Sequence, residues 1–565
     1  MTTAKVAADF ARYHTYDEIT AYMRALADAY PRLATLVSIG TSHGGRNLWL
    51  MALTNQATGH AEEKPALYID GNCHGEEVIA SEAALYTVWY ALTHYGQDDF
   101  VTQLLDTRAL YILPRANPDG AEWSLTTPYH HVGNGHYPFW EEPLSGHREK
   151  DLNGDGHVTD MRVVDPGGEW KVSEKDPRLM VMREPGEIEG TYYRLYPEGE
   201  IVDYDGLNVR VSKPRHGNLN RQYPANWGPE EVEYGAGDVP LNEPEAQAIA
   251  HFIVSHPNIT GAQAYHSHAG CIISQLGALP GEAMPDADRR LIKWLGEMGA
   301  RLTGYPLLAP EDNFSPAGTK NVRHGSFTTW LYAYRGIIPY TVEFWDVETE
   351  AGIPKTAIFM ERGRDEEELL KLLAWADANF EGQGYFDWQP FDHPQLGPVE
   401  IGGWNHMYVF RNPPPKYIEG MAHNSTLFAL RHAASSPLLR IQDVKSERVA
   451  PGIFTIRAVV ANEGCLSTYL TEMALNMDKI PGVKAVLESG AGVELVLGPR
   501  SQDLGHLAGY WERRDPWNAW GPSWNDTRRR VEWQVRVPIG QEAHVRVVAS
   551  SPTGGRTSTE IVLAA

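Results

Sequence analysis

The chain has 565 residues, 42% of them apolar, and a formal net charge of −24. That length exceeds what a single hydrophobic core ordinarily serves, so two or more domains are expected. The acidity argues against nucleic acid or an anionic membrane as a partner, and no apolar run reaches the roughly 18 residues that cross a bilayer.

The opening Met1–Phe10 lacks a sustained apolar segment and carries Asp9 early, unlike a secretory signal. Cys73, Cys271 and Cys465 are widely spaced and odd in number, which does not suit a disulfide framework, so a cytoplasmic protein is expected. From Tyr16 to Tyr30 apolar residues recur at helical intervals and stop at Pro31, predicting an amphipathic first helix. Strands are expected at about 35–40, 48–54, 65–71 and 108–114, with a helix between the last two. Between Asp70, which ends an apolar run, and the helically spaced Val78, Leu85 and Val88 stands Gly71-Asn72-Cys73-His74-Gly75-Glu76-Glu77. His74 and Glu77 lie three residues apart at the carboxyl end of a strand, where α/β sheets place ligands, and read as half of a zinc site. A solvated or capping role competes with that reading, and Cys73 is a rival ligand by chemistry.

Further on, Tyr111–Leu113 leads into an Asn117-Pro118-Asp119-Gly120 turn. An interval rich in Gly, Pro, Asp and Glu follows, with little periodicity, over about 121–216. Within it Asp151, Asn153 and Asp155, with Gly156, copy the opening of a calcium-binding loop, but the twelfth position is Arg162 where a bidentate Glu belongs. Calcium through Asp160, Asp203 or Asp205 and a hydrogen-bonded turn are both open. Gly217–Pro224 supplies the pair Asn220-Arg221, a strand ends in His266-Ser267, and a later apolar strand carries Glu343. Helices are expected near 243–255, 285–302, 364–380 and 417–433. Strands and helices in alternation indicate an α/β unit with a mixed central sheet flanked by helices. From about 437 onward short strands separated by turn residues predict an all-β sandwich. Two domains are therefore expected, residues 1–435 and 436–565.

The H-x-x-E, N-P-D-G, N-R and H-S motifs and the strand-borne Glu, taken in this order over roughly residues 10–350, resemble the zinc metallocarboxypeptidase family in a bacterial-type form with a long insertion and an extra C-terminal domain. The resemblance implies that His74, Glu77 and His266 hold zinc, with a fourth position left for water. It further implies Glu343 as general base, and Asn220 with Arg221 as receptors of a substrate's free terminal carboxylate. Arg162 is the candidate for stabilising the oxyanion, with a structural ion pair as its alternative. Thr328 and Thr329 would lie near the pocket for the terminal side chain. Two departures from the family matter. Glu76 stands where digestive members carry a substrate-binding Arg, and Ala317–Phe327 lacks their mobile Tyr. The expected activity is hydrolysis of the C-terminal peptide bond of peptides. A zinc amide hydrolase of the same fold, acting as deacylase, deglutamylase or cell-wall peptide amidase, is an alternative, as is a non-catalytic protein binding peptides or glycans.

Overall fold

The computed structural model describes residues 5–136, 145–210, 217–274, 284–308, 323–354, 365–478, 480–490, 492–512 and 526–565. Its centre is an eight-stranded sheet built from β1 (Ala34–Thr41), β2 (Asn47–Leu53), β3 (Ala66–Gly71), β4 (Ala109–Leu113), β5 (Ile259–Ser267), β6 (Cys271–Ser274), β7 (Leu307–Leu308) and β8 (Ile338–Phe344), in the order β1-β2-β4-β3-β5-β8-β6-β7. The four middle strands β4, β3, β5 and β8 run parallel, while β2 and β6 flank them antiparallel. Every residue of β3, β4, β5 and β8 is buried, as continuous apolar runs require when both faces of a parallel sheet are covered. From β3 the chain crosses to β4 on one side, and β5 joins β3 on the other. The carboxyl ends of β3 and β5 therefore border the crevice in which α/β sheets bind ligands.

The first helix, Tyr16–Ala29, begins as expected, with the Glu18 carboxylate accepting the Thr15 N–H at 2.8 Å. Helix Val78–His94 is buried along nearly its whole length between the sheet and helix Ile418–Ala434, where the Thr87 and Thr426 hydroxyls meet at 2.8 Å. Asn-Pro-Asp-Gly starts a helix, Pro118–Thr126, in place of the expected turn. Asn117 is its N-cap, accepting the Gly120 N–H at 2.9 Å, and Pro118 sits in the first turn, where a missing N–H is harmless.

The insertion is more ordered than its composition suggests. Strands 160–164, 193–197, 170–172 and 180–182 form one six-stranded sheet with the hairpin 385–393 and 397–404. Beyond Leu439, two four-stranded antiparallel sheets share one apolar cluster that includes Phe454, Ile456, Trp533, Val547 and Leu563. The buried Asp288 carboxylate ties this region to the α/β part by accepting the Glu472 and Met473 N–H groups at 2.7 and 3.0 Å. Among the described residues no helix is long and apolar enough to cross a membrane.

Candidate metal centre

Two strand pairings bring the chemistry together. Tyr265 lies opposite Gly71 in the β3–β5 pairing, and His266 lies opposite Glu343 in the β5–β8 pairing. Directly paired residues on neighbouring strands project to the same face, so His266 and Glu343 share one side of the sheet at its carboxyl edge. The loop leaving β3 turns at Asn72, whose φ of 61° lies in the left-handed region and whose side-chain amide donates to the His74 carbonyl at 2.6 Å. That turn carries His74 over the end of β5. Glu77 is set at the N-terminus of helix Val78–His94.

The side chains converge as follows. Glu77 Oε1 lies 2.8 Å from His74 Nδ1, and its Oε2 lies 3.0 Å from His266 Nδ1. The two imidazole centroids are 4.9 Å apart. Cys73 Sγ stands 3.5 Å from His266 Nε2, and Cys73, His74 and His266 offer donor atoms all within 4.8 Å of one another. Burial alone would raise the Glu77 pKa, but His74 and His266 outweigh it and hold the carboxyl below the usual carboxylate range. Asp70, on β3, is pushed up to about 7 by burial, with His266 pulling against the rise. Two imidazoles and a carboxylate, with a thiol alongside, form a nitrogen, oxygen and sulfur donor set of the kind that suits zinc.

Asn220 and Arg221 occupy a short helical turn, Leu219–Arg221. Asn220 Oδ1 accepts the Phe327 N–H at 3.0 Å, which joins this turn to the start of helix Phe327–Arg335 and so to Thr328, whose hydroxyl lies 3.2 Å from that of Ser326. Arg221 is half-buried and pairs with Glu233 at 2.9 Å. Asn218, which no sequence motif singled out, lies nearer the histidines than its neighbours suggest, with its Oδ1 3.1 Å from His74 Nε2.

Two expectations are corrected. Arg162 lies in strand 160–164 directly opposite Glu400, its Nε 2.8 Å from that carboxylate and its guanidinium 4.5 Å from the Trp388 ring centre. It is thus a structural ion pair within the accessory sheet, because strand alternation turns its side chain into that sheet's own packing. The Asp151 loop is a hydrogen-bonded turn and nothing in it supports calcium. Asp151 accepts the Gly154 and Gly156 N–H groups at 2.7 and 3.0 Å, Asn153 that of Asp155 at 2.9 Å, and Asp155 that of His157 at 2.9 Å. The buried Glu198, unremarked in the sequence, supports the turn by accepting the Leu152 N–H at 2.6 Å.

Glu76 is also not a bare anionic subsite. Arg411 Nε approaches its carboxylate at 3.2 Å and His130 Nδ1 at 3.1 Å, and although burial opposes it, the Arg411 charge and the contact with His130 hold the carboxyl well below the usual carboxylate range. Of the segment expected to lack a mobile Tyr, residues 317–322 lie outside the described residues.

The family model described as Zinc carboxypeptidase matches residues 19–173 and 202–367, more than half of the chain. The chain belongs to that family, which implies zinc, and the matched stretches contain His74, Glu77, Asn220, Arg221, His266, Thr328 and Glu343. A second model, Domain of unknown function (DUF8731), matches residues 438–562. Carboxypeptidase D of Drosophila melanogaster is 35% identical over 113 residues, 20% of this chain and 8% of that protein. Carboxypeptidase M of Mus musculus is 33% identical over 129 residues, 23% of this chain and 29% of that protein. The similarity to these relatives thus spans less than a third of either. The crystal structure of carboxypeptidase A from Helicoverpa armigera aligns at 15% identity and a TM-score of 0.45, covering 77% of this chain and 76% of that one.

Proposed function

We propose that this chain is a zinc-dependent metallocarboxypeptidase that hydrolyses the C-terminal peptide bond of peptides. The observation that carries the reading is the β5–β8 register, which sets Glu343 beside His266 on the same face of the sheet, at the edge where His74 and Glu77 converge. His74, Glu77 and His266 would hold the zinc. When bound, zinc supplies a Lewis acid that polarises the scissile carbonyl and acidifies water.

The remaining chemistry belongs to the chain's own side chains. Glu343 is the general base, taking a proton from the attacking water onto its carboxylate and returning it to the departing amine. Its buried position limits competing water around that carboxylate. Arg221 and Asn220 receive the substrate's terminal carboxylate. Glu233 and the Asn220 carbonyl fix the orientation of the Arg221 guanidinium through Nε and Nη1, and a planar fork held in this way presents its remaining N–H groups in a defined plane. Thr328 borders the pocket for the terminal side chain. Three free thiols, two of them buried, suit the reducing cytoplasm.

The test is incubation of the zinc-loaded protein with a peptide mixture in free-acid and C-terminally amidated forms, followed by product masses beside Glu343→Gln. Stepwise loss of C-terminal residues from free acids alone, abolished in the variant, supports the proposal. Cleavage confined to N-acyl, side-chain or cell-wall amides would replace it with the amide-hydrolase reading. Zinc retention with no turnover of either class would replace it with a binding protein.

A further inference from the structure

A segment outside the residues matched by the family model, Asn405–Asn412, touches all three pieces of chain that carry the centre. Its core, His406–Arg411, is a π-helical turn, a widened geometry often found at functional sites. From behind, it is held to the end of β8, because the Trp345 indole, two residues past Glu343, donates to the Val409 carbonyl at 2.7 Å. On one side, the buried Asn412 amide donates to the Glu76 carbonyl at 2.8 Å while its Oδ1 accepts the Ile79 N–H at 3.0 Å. On the other side, the Ser267 hydroxyl donates to the Arg411 carbonyl.

Arg411 completes the bridge with its side chain. Its Nε lies 3.2 Å from Glu76 Oε1, and its Nη1 lies 2.7 Å from His268 Nδ1. Glu76 sits between His74 and Glu77, and His268 follows His266 by two residues. One planar guanidinium thus spans the loop bearing two of the zinc-ligand candidates and the strand end bearing the third. A fork of fixed geometry holds two partners at a set separation, which a single flexible ammonium cannot do.

We infer that Arg411 is a positioning residue that sets the separation between the His74–Glu77 loop and the end of β5, and thereby the affinity of His74, Glu77 and His266 for zinc. Residues that hold metal ligands in place change metal affinity or activity by about 10–100-fold when removed. The inference rests on the zinc-site reading above.

The test is zinc affinity, measured by competition with a chromophoric chelator on the full-length protein, for wild type, Arg411→Lys and Arg411→Ala, together with kcat and KM on a free-acid peptide. The expected order of zinc affinity is wild type, then Arg411→Lys, then Arg411→Ala, with the last weaker by about 10–100-fold, and with kcat at subsaturating zinc falling in step while KM moves less than about threefold. Lysine is isocoulombic and short of one contact, so Arg411→Lys remains decisive if the alanine variant fails to fold. Wild-type zinc affinity in Arg411→Lys, or a loss seen in KM alone, overturns the inference. Absence of zinc binding by the wild type overturns the zinc-site reading itself, which keeps the two failures apart.

Discussion

Replacing Gly75 by alanine tests how the two family motifs interlock. Gly75 lies between His74 and Glu77, and a Cβ built there would sit 2.6 Å from the Gly120 carbonyl carbon and 2.7 Å from its Cα. Non-bonded carbons rest at about 3.5–4.0 Å, so one backbone must retreat by roughly 1 Å. Gly120 has little room to do so. Its N–H is held by Asn117 Oδ1 at 2.9 Å, and a Cβ built on Gly120 itself would come within 2.2 Å of the Gly133 carbonyl oxygen. The displacement therefore falls on the His74–Glu77 loop. A misplacement of about 1 Å costs on the order of a hundredfold in rate, and overpacking a close contact costs about 1–3 kcal/mol of stability. Gly75→Ala should lower kcat/KM on a free-acid peptide by about a hundredfold and lower the unfolding midpoint. Gly420→Ala is the control, since that helical glycine has nothing within 4 Å of a built Cβ. Steady-state kinetics and thermal unfolding on all three proteins decide the matter. A Gly75→Ala protein with kcat/KM within about threefold of wild type and an unchanged midpoint would refute the argument.

Two further outcomes concern stability. Glu245 is fully buried and burial pushes its pKa from 4.5 up to about 7, against hydrogen bonds from the His43 N–H and the Asn134 amide. The folded state prefers the protonated acid, so this group's contribution to stability is highest below about pH 4.5 and falls as pH rises to about 7, by on the order of 3 kcal/mol. Glu245→Gln should flatten that part of the profile and be more stable than wild type at pH 8. Parallel stability–pH curves for the two proteins would contradict it. Trp533→Ala empties the shared core of the C-terminal sheets, where the indole is 1% exposed and donates to the Pro499 carbonyl at 2.8 Å. Chemical denaturation should show a loss of about 3–5 kcal/mol, and a loss under about 1 kcal/mol would mean that the two sheets do not depend on this contact.

Local chemistry made much of the centre legible. His74 and Glu77 are three residues apart, and the all-apolar runs around His266 and Glu343 mark buried strands whose carboxyl ends are where such residues belong. The Asn-Pro-Asp-Gly sequence departs from the expected turn for an equally local reason. Asn and Pro serve a turn and a helix start alike, and the helix won because Asn117 could cap Gly120 while its amide donated to the Gly133 carbonyl. The partner of Arg162, Glu400, is 238 residues away in the chain. No spacing rule reaches that far.

By itself, then, the sequence determined the elements whose cause is short-range: the helix starts, the buried strands, the His-x-x-Glu pair, and the change to β-strands after residue 437, although four of those strands run to ten or more residues where short ones are expected. Strand register, and with it the neighbourhood of His266 and Glu343, was decided only in three dimensions, since pairing depends on which apolar faces fit once the sheet is assembled. The same holds for the joining of the insertion to strands 385–404, the burial of Glu76 against Arg411, and the approach of Asn218 to His74. Each depends on an ion pair or hydrogen bond between segments distant in the chain, whose energy appears only after the core has brought them within reach.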